Sequence, residues 1–138
     1  MSHGRFLFPI ALLALAGCAW GPAPSPNPAA ARAQLIEQRK DAVIAQLADC
    51  ESGTGGVPSG GRHVGRLQFT PGTVIAFVRE RDGRTISTQE AVALANDYGQ
   101  AAALAKYVIF QRDGLGHWPG CSRKLGLARQ VAEIKAAR

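Results

Sequence analysis

Apolar residues recur along most of this chain with the spacing of helices. Between Ala30 and Cys50, Ile36, Lys40, Val43, Ile44 and Leu47 fall on one face. Only Lys40 breaks the stripe, and its methylene stem can lie along apolar surface while its ammonium reaches water. Thr70-Pro71 reads as an N-cap followed by a proline at the first helical position, opening a short helix through Val74, Ile75, Phe77 and Val78. Asp82-Gly83 is a turn. Ser87 with Glu90 three residues later forms a capping box ahead of Ala91, Val92, Leu94 and Ala95. After Tyr98-Gly99 a further helix carries Ala103, Leu104, Tyr107, Val108 and Phe110, and a final one sets Leu127, Val131 and Ile134 on one face. Arg66 to Phe69 is the one stretch with a weak strand pattern. Between the first two helices, Ser52 to Gly61 holds five glycines and one proline, which predicts a flexible loop. The expectation is a mainly α, compact helical domain over residues 30–138.

The first residues follow a different logic. Arg5 precedes a short apolar run from Phe6 to Ala16 that ends in Leu15-Ala16-Gly17-Cys18. Such a run suits a secretory signal better than a permanent span. Its ending resembles the lipobox of bacterial lipoproteins, which implies a signal peptide over residues 1–17 and acylation of Cys18. Ala19 rather than Asp follows the Cys, and in Gram-negative lipoproteins that implies sorting to the outer membrane, facing the periplasm. The competing reading is an ordinary signal peptide with an incidental Cys. Pro22, Pro24, Pro26 and Pro28 then alternate with other residues, so residues 18–29 read as an extended tether.

Composition narrows the possibilities. The 138 residues are 46% hydrophobic and 19% charged, a globular balance that excludes a wholly disordered chain. Aromatics at 7% and three His argue against a multi-His metal centre. The formal charge of +6 suits an anionic partner. Arg79, Arg81, Arg84 and Arg123-Lys124 lack interleaved aromatics, and an exported protein does not meet nucleic acid, so that partner class is set aside. No metal, cofactor or oligomeric partner is implied, and a monomer is expected.

Three Cys divide into one lipid site, Cys18, and one pair, Cys50 and Cys121. In an oxidising compartment that pair is expected to bridge; two free buried thiols are the alternative. The absence of Cys-x-x-Cys argues against redox catalysis and a zinc site.

The chemistry-bearing stretch is Cys50-Glu51-Ser52-Gly53. Glu51 falls at the C-terminal end of the first helix, with Gly53 placed to end it. The negative end of the helix dipole and nearby apolar walls both favour the protonated carboxyl. A carboxylic acid held protonated near neutrality is what glycosidic cleavage needs, because the leaving oxygen must receive a proton. A solvated helix-end Glu without function is the plainer reading of this residue taken alone.

Three pieces in order, Cys50-Glu51-Ser52-Gly53, then Gly65-Arg66-Leu67-Gln68-Phe69, then Gly116-His117-Trp118-Pro119-Gly120-Cys121, resemble the catalytic domain of resuscitation-promoting factors. The resemblance covers about Val43 to Leu127. It implies a lysozyme-like α+β fold, with the Gly-rich loop or a short hairpin beside an active-site cleft. It implies Glu51 as catalytic acid, Gln68 and Thr73 as sugar contacts, and Cys50–Cys121 as the family's disulfide. Trp118 is expected to pack in the core against that bridge. The chain departs from the family in its aromatics: Thr54 to Val57 and Val74 stand where that family often carries rings.

Two function classes follow. One is a lytic transglycosylase or muramidase that cuts the MurNAc–GlcNAc β-1,4 bond of peptidoglycan with a single Glu. The other is a noncatalytic peptidoglycan-binding or envelope-structural lipoprotein that retains the fold. A second catalytic carboxylate has no motif support at Glu80, Asp82, Asp97 or Asp113.

Overall fold

The computed structural model describes residues 27–53 and 62–137. The expected signal peptide, Cys18, most of the tether and nearly all of the Gly-rich loop lie outside the described residues. Six α-helices and one 3-10 turn account for most of the rest: α1 (Pro28–Ser52), α2 (Pro71–Asp82), α3 (Thr88–Asn96), α4 (Tyr98–Gln111), the 3-10 turn Gly114–His117, α5 (Pro119–Lys124) and α6 (Leu127–Ala136). The mainly α class is therefore correct. Among the described residues there is no β-strand, and no helix is long and apolar enough to cross a membrane.

Local chemistry explains the helix starts. Asn27 caps α1 by accepting from the Ala29 N–H at 3.0 Å, and Pro28 occupies the first turn. The helix thus begins two residues earlier than the apolar stripe indicates, because the last tether proline sits where a missing N–H costs nothing. Thr70 accepts from the Thr73 N–H to start α2, and Gly83 in the left-handed region ends it. The Ser87–Glu90 capping box is complete in both directions. Asp97, between α3 and α4, accepts from the Gln100 N–H at 3.0 Å and restarts the chain as α4 after a single non-helical residue. The 3-10 turn and α5 carry no apolar periodicity and were not legible as helices.

Most of the core comes from the predicted faces, although Ala103 is exposed and Ile109 is buried instead. Val43, Ile44 and Leu47 of α1, Val74 and Val78 of α2, Leu94 of α3, Leu104, Val108 and Phe110 of α4, and Leu127, Val131 and Ile134 of α6 are all buried. Helix α1 packs on α4 and α6, while α2 packs on α3 and α4. Lys40 follows its expected course: half-buried, it holds its ammonium 5.7 Å from the Phe110 ring centroid and pairs with Glu37.

The strand expected over Arg66 to Phe69 is instead a tight turn. Val64 and Phe69 exchange backbone hydrogen bonds at 2.8 and 3.1 Å, a single antiparallel bridge closed around four residues. Gly65 has φ of 71° and Gln68 of 51°, left-handed values that curl the chain before a second pair can form. Gly65 also abuts α3 closely: a Cβ there would lie 1.8 Å from the Ala95 carbonyl oxygen. Only glycine fits.

Candidate functional site

Three segments distant in sequence meet at one end of α1. The first is the last turn of α1, with Cys50 and Glu51. Cys50 is bonded to Cys121 in α5, with sulfurs 2.00 Å apart. The second is the turn Val64–Phe69. Its Arg66 pairs with Asp49 of α1 and lies 4.6 Å from the Tyr98 ring centroid, so the turn is fastened to two helices. The third is the run into α5, where the buried Trp118 donates its indole N–H to the Leu67 carbonyl at 2.7 Å. Trp118 also meets Phe69 edge to face at 5.2 Å. It is a core residue, as expected.

A cleft of about 160 Å³ opens beside this junction. Gln68 and Thr73, the two expected sugar contacts, both line it, with Thr70, His63 and His117. Their polar atoms are already committed. The Gln68 side-chain amide donates to the Gly65 carbonyl at 2.6 Å, and the hydroxyls of Thr73 and Thr70 hydrogen-bond at 2.8 Å. Each keeps further capacity: the Gln68 carbonyl oxygen still accepts, and a hydroxyl has two lone pairs.

Glu51 is half-buried, and burial pushes its carboxyl above the ordinary range. The nearby His63 imidazole acts in the opposite direction, but the effect of burial is larger. Glu51 is not among the cleft's described lining residues, which include His63. Glu51 contrasts with the other acids that shift. Hydrogen bonds from Lys40, Arg81, Ser87, Gln100 and Lys135 pull Glu37, Asp82, Glu90, Asp97 and Asp113 down. Among the described residues Glu51 is the carboxyl that is shifted toward retaining its proton.

The remaining carboxylates considered for a two-acid mechanism have structural partners. Glu80 pairs with Arg112, Asp113 with Lys135, and Asp82 with Arg81 at 2.7 Å, while Asp97 caps α4. Among the described residues no three His, Cys, Asp or Glu side chains come together as a metal-ligand set.

Sequence reasoning assigned no role to His63, Phe77 or His117. His117 was visible within the Gly116-His117-Trp118 motif, one residue from a buried Trp. His63 and Phe77 had no motif signal: the first flanks the turn, and the second counted only as one apolar residue in the α2 stripe.

No family model matches the chain, and no curated protein or solved structure matches it.

Proposed function

We propose that this protein cleaves the glycan strands of peptidoglycan at the MurNAc–GlcNAc β-1,4 bond, with Glu51 as the single acid–base group. The observation that carries this reading is the half-buried Glu51 at the end of α1, next to the Cys50–Cys121 bond that ties it to the segment whose His117 and Trp118 line the cleft, and burial holds its carboxyl above the ordinary range. The resemblance of three motifs in register to resuscitation-promoting factors supports it, as does the gathering of Gln68 and Thr73 in one cleft beside the Glu51 helix end. In the finer reading the domain is lysozyme-like α+β, with the Gly-rich loop or a short hairpin beside the active-site cleft.

The reaction needs one proton donor. Protonated Glu51 gives its proton to the bridging oxygen, and the bond from that oxygen to C1 of MurNAc breaks. The resulting carboxylate then takes the proton of the MurNAc 6-hydroxyl as O6 bonds to C1. A 1,6-anhydro ring closes, and Glu51 is protonated again. A lytic transglycosylase is thus the preferred assignment, because the four alternative acids are engaged in ion pairs and a helix cap. Water attack at C1, giving reducing ends, is the muramidase variant.

The protein would work at the periplasmic side of the envelope, as a monomer anchored in the outer membrane through a lipid on Cys18, with the glycan strand as its partner.

The second reading, a noncatalytic wall-binding lipoprotein, draws on the internal hydrogen bonds that occupy Gln68 and Thr73. Digestion of purified sacculi separates the two. Glu51→Gln is expected to lower muropeptide release by about 10²–10⁴-fold, with Glu80→Gln as an unaffected control. Released 1,6-anhydro ends identify the transglycosylase. Wild-type protein that co-sediments with sacculi and releases nothing establishes the binding module instead.

A further inference from the structure

Four rings form a continuous row, of which Phe69, Trp118 and His117 line the cleft and Phe77 stands beyond His117. Phe69 meets Trp118 at 5.2 Å, Trp118 meets His117 at 6.1 Å, and His117 meets Phe77 at 5.1 Å, with interplanar angles of 72°, 72° and 85°. Burial divides the row. Phe69 and Trp118 are each 3% exposed, whereas Phe77 is half-buried and His117 is exposed. The inner pair belongs to the core; His117 presents ring surface to solvent at the cleft that Thr73 and Gln68 line, and the half-buried Phe77 packs against it.

Two features bear on how His117 is held at the rim. Gly116, beside His117, has nothing within 4 Å of where a Cβ would stand, so no neighbour crowds that side of the rim. The 3-10 turn carrying His117 is held from below: the Ser122 hydroxyl donates to the Leu115 carbonyl at 3.2 Å, and the Trp118 N–H donates to the same carbonyl at 3.1 Å. Phe77 stands one helical turn after Thr73 on α2, so both project from the same side of that helix. An exposed imidazole braced by an aromatic edge, rather than free to rotate into water, is a preorganised flat surface.

We propose that His117, positioned by Phe77, is a specificity-determining residue that stacks against the apolar face of an N-acetylhexosamine ring in the cleft. This rests on the reading of that cleft as a glycan site. A β-linked pyranose has axial C–H groups on one face, and these match the electron-rich face of a ring, while its equatorial hydroxyls and acetamido group reach sideways to partners such as Thr73 and Gln68. The platform thereby takes the place of the rings missing at Val74 and at Thr54 to Val57, but from a different segment of the chain.

The test is an NMR titration of the full chain with tetra-N-acetylchitotetraose, following the His117 imidazole signals and the dissociation constant. His117→Ala is expected to weaken binding by about three- to tenfold, and His117→Phe to restore it. Phe77→Leu keeps apolar volume but removes the bracing edge, so it should weaken binding while His117 remains. Glu80→Gln, outside the cleft and paired with Arg112, should bind as wild type does. An unchanged dissociation constant in His117→Ala, or no binding of the tetramer by the wild type, overturns the stacking role; Glu51-dependent digestion of sacculi stands or falls separately. Binding that depends on His117 in a protein that never cleaves sacculi upholds the platform and removes the enzyme.

Discussion

Cys50 and Cys121 stand 5.9 Å apart at their Cα atoms, although 71 residues separate them in sequence. The bond ties the residue preceding Glu51 to the helix that Trp118 begins, and Trp118 in turn holds the Leu67 carbonyl of the turn that carries Gln68. The candidate acid and the cleft wall are therefore braced by one covalent link and one buried hydrogen bond.

Opening that link should be costly. A loop of this length contributes about 4 kcal/mol on the chain-entropy model, so Cys50→Ala with Cys121→Ala is expected to lower Tm on the order of 20 °C. Calorimetry with and without reductant checks it. Without reductant, peptide mapping should find both thiols protected from alkylation; a Cys50 that alkylates freely defeats the expectation.

Stability should carry the mark of Glu51 in a definite direction. Its folded pKa is raised, so the folded state binds the proton more tightly than the unfolded chain does. That contribution is complete below the unfolded pKa and is lost as pH rises through the folded value. Glu51→Gln should flatten this limb of the stability–pH curve and leave the fold at least as stable near neutrality. Denaturant melts of both proteins across the acid range provide the comparison, and identical curves would show that burial does not shift this carboxyl.

The two left-handed glycines at positions 65 and 83 should respond unequally to alanine. Gly83→Ala meets no atom within 4 Å and bears only the left-handed strain, about 1 kcal/mol. Gly65→Ala adds a clash with the Ala95 carbonyl and should cost about 4 kcal/mol or more. Melting temperatures that fall equally would mean that the turn does not press on α3 as described.

Ser87→Ala removes one half of a reciprocal cap and should cost about 1 kcal/mol, or roughly 4–8 °C in Tm. Thr88→Ala, one residue on, makes the comparison for a polar residue that does not cap; the two variants melting alike would deny the box its role.

Anchoring is tested in cells. Wild-type protein is expected in the membrane fraction, and Cys18→Ser in the soluble periplasm. Soluble wild type would rule out lipidation.

The helices were legible because their signals are local. Thr70 with Thr73, Ser87 with Glu90, and Gly83 after Asp82 are decided by groups within four residues, and backbone N–H groups at a helix start find the nearest acceptor whatever the rest of the chain does. The apolar faces of α1 and α6 were legible for the same reason, since a period of 3.6 already selects the side to be buried. Glu51 was readable as a helix-end acid, and the pairing of Cys50 with Cys121 as the partition of three thiols.

The turn at 64–69 marks the limit. Its residues favour a strand locally, yet the close approach of Gly65 to Ala95 and the grip of Trp118 on Leu67, 51 residues apart, decide for a closed turn. The row from Phe69 through Trp118 and His117 to Phe77 is likewise a product of packing. No spacing along the chain brings α2 against the run into α5; the need to bury Val74, Val78 and Trp118 in one core does, and the exposed ring of His117 is carried to the cleft with them. By itself the sequence determined the helical segments other than the 3-10 turn and α5, the main buried face of each and where the candidate acid stands. Tertiary structure alone decided what surrounds that acid, because contacts between distant segments are selected by shape and burial over the whole core, and no short window of residues contains that information.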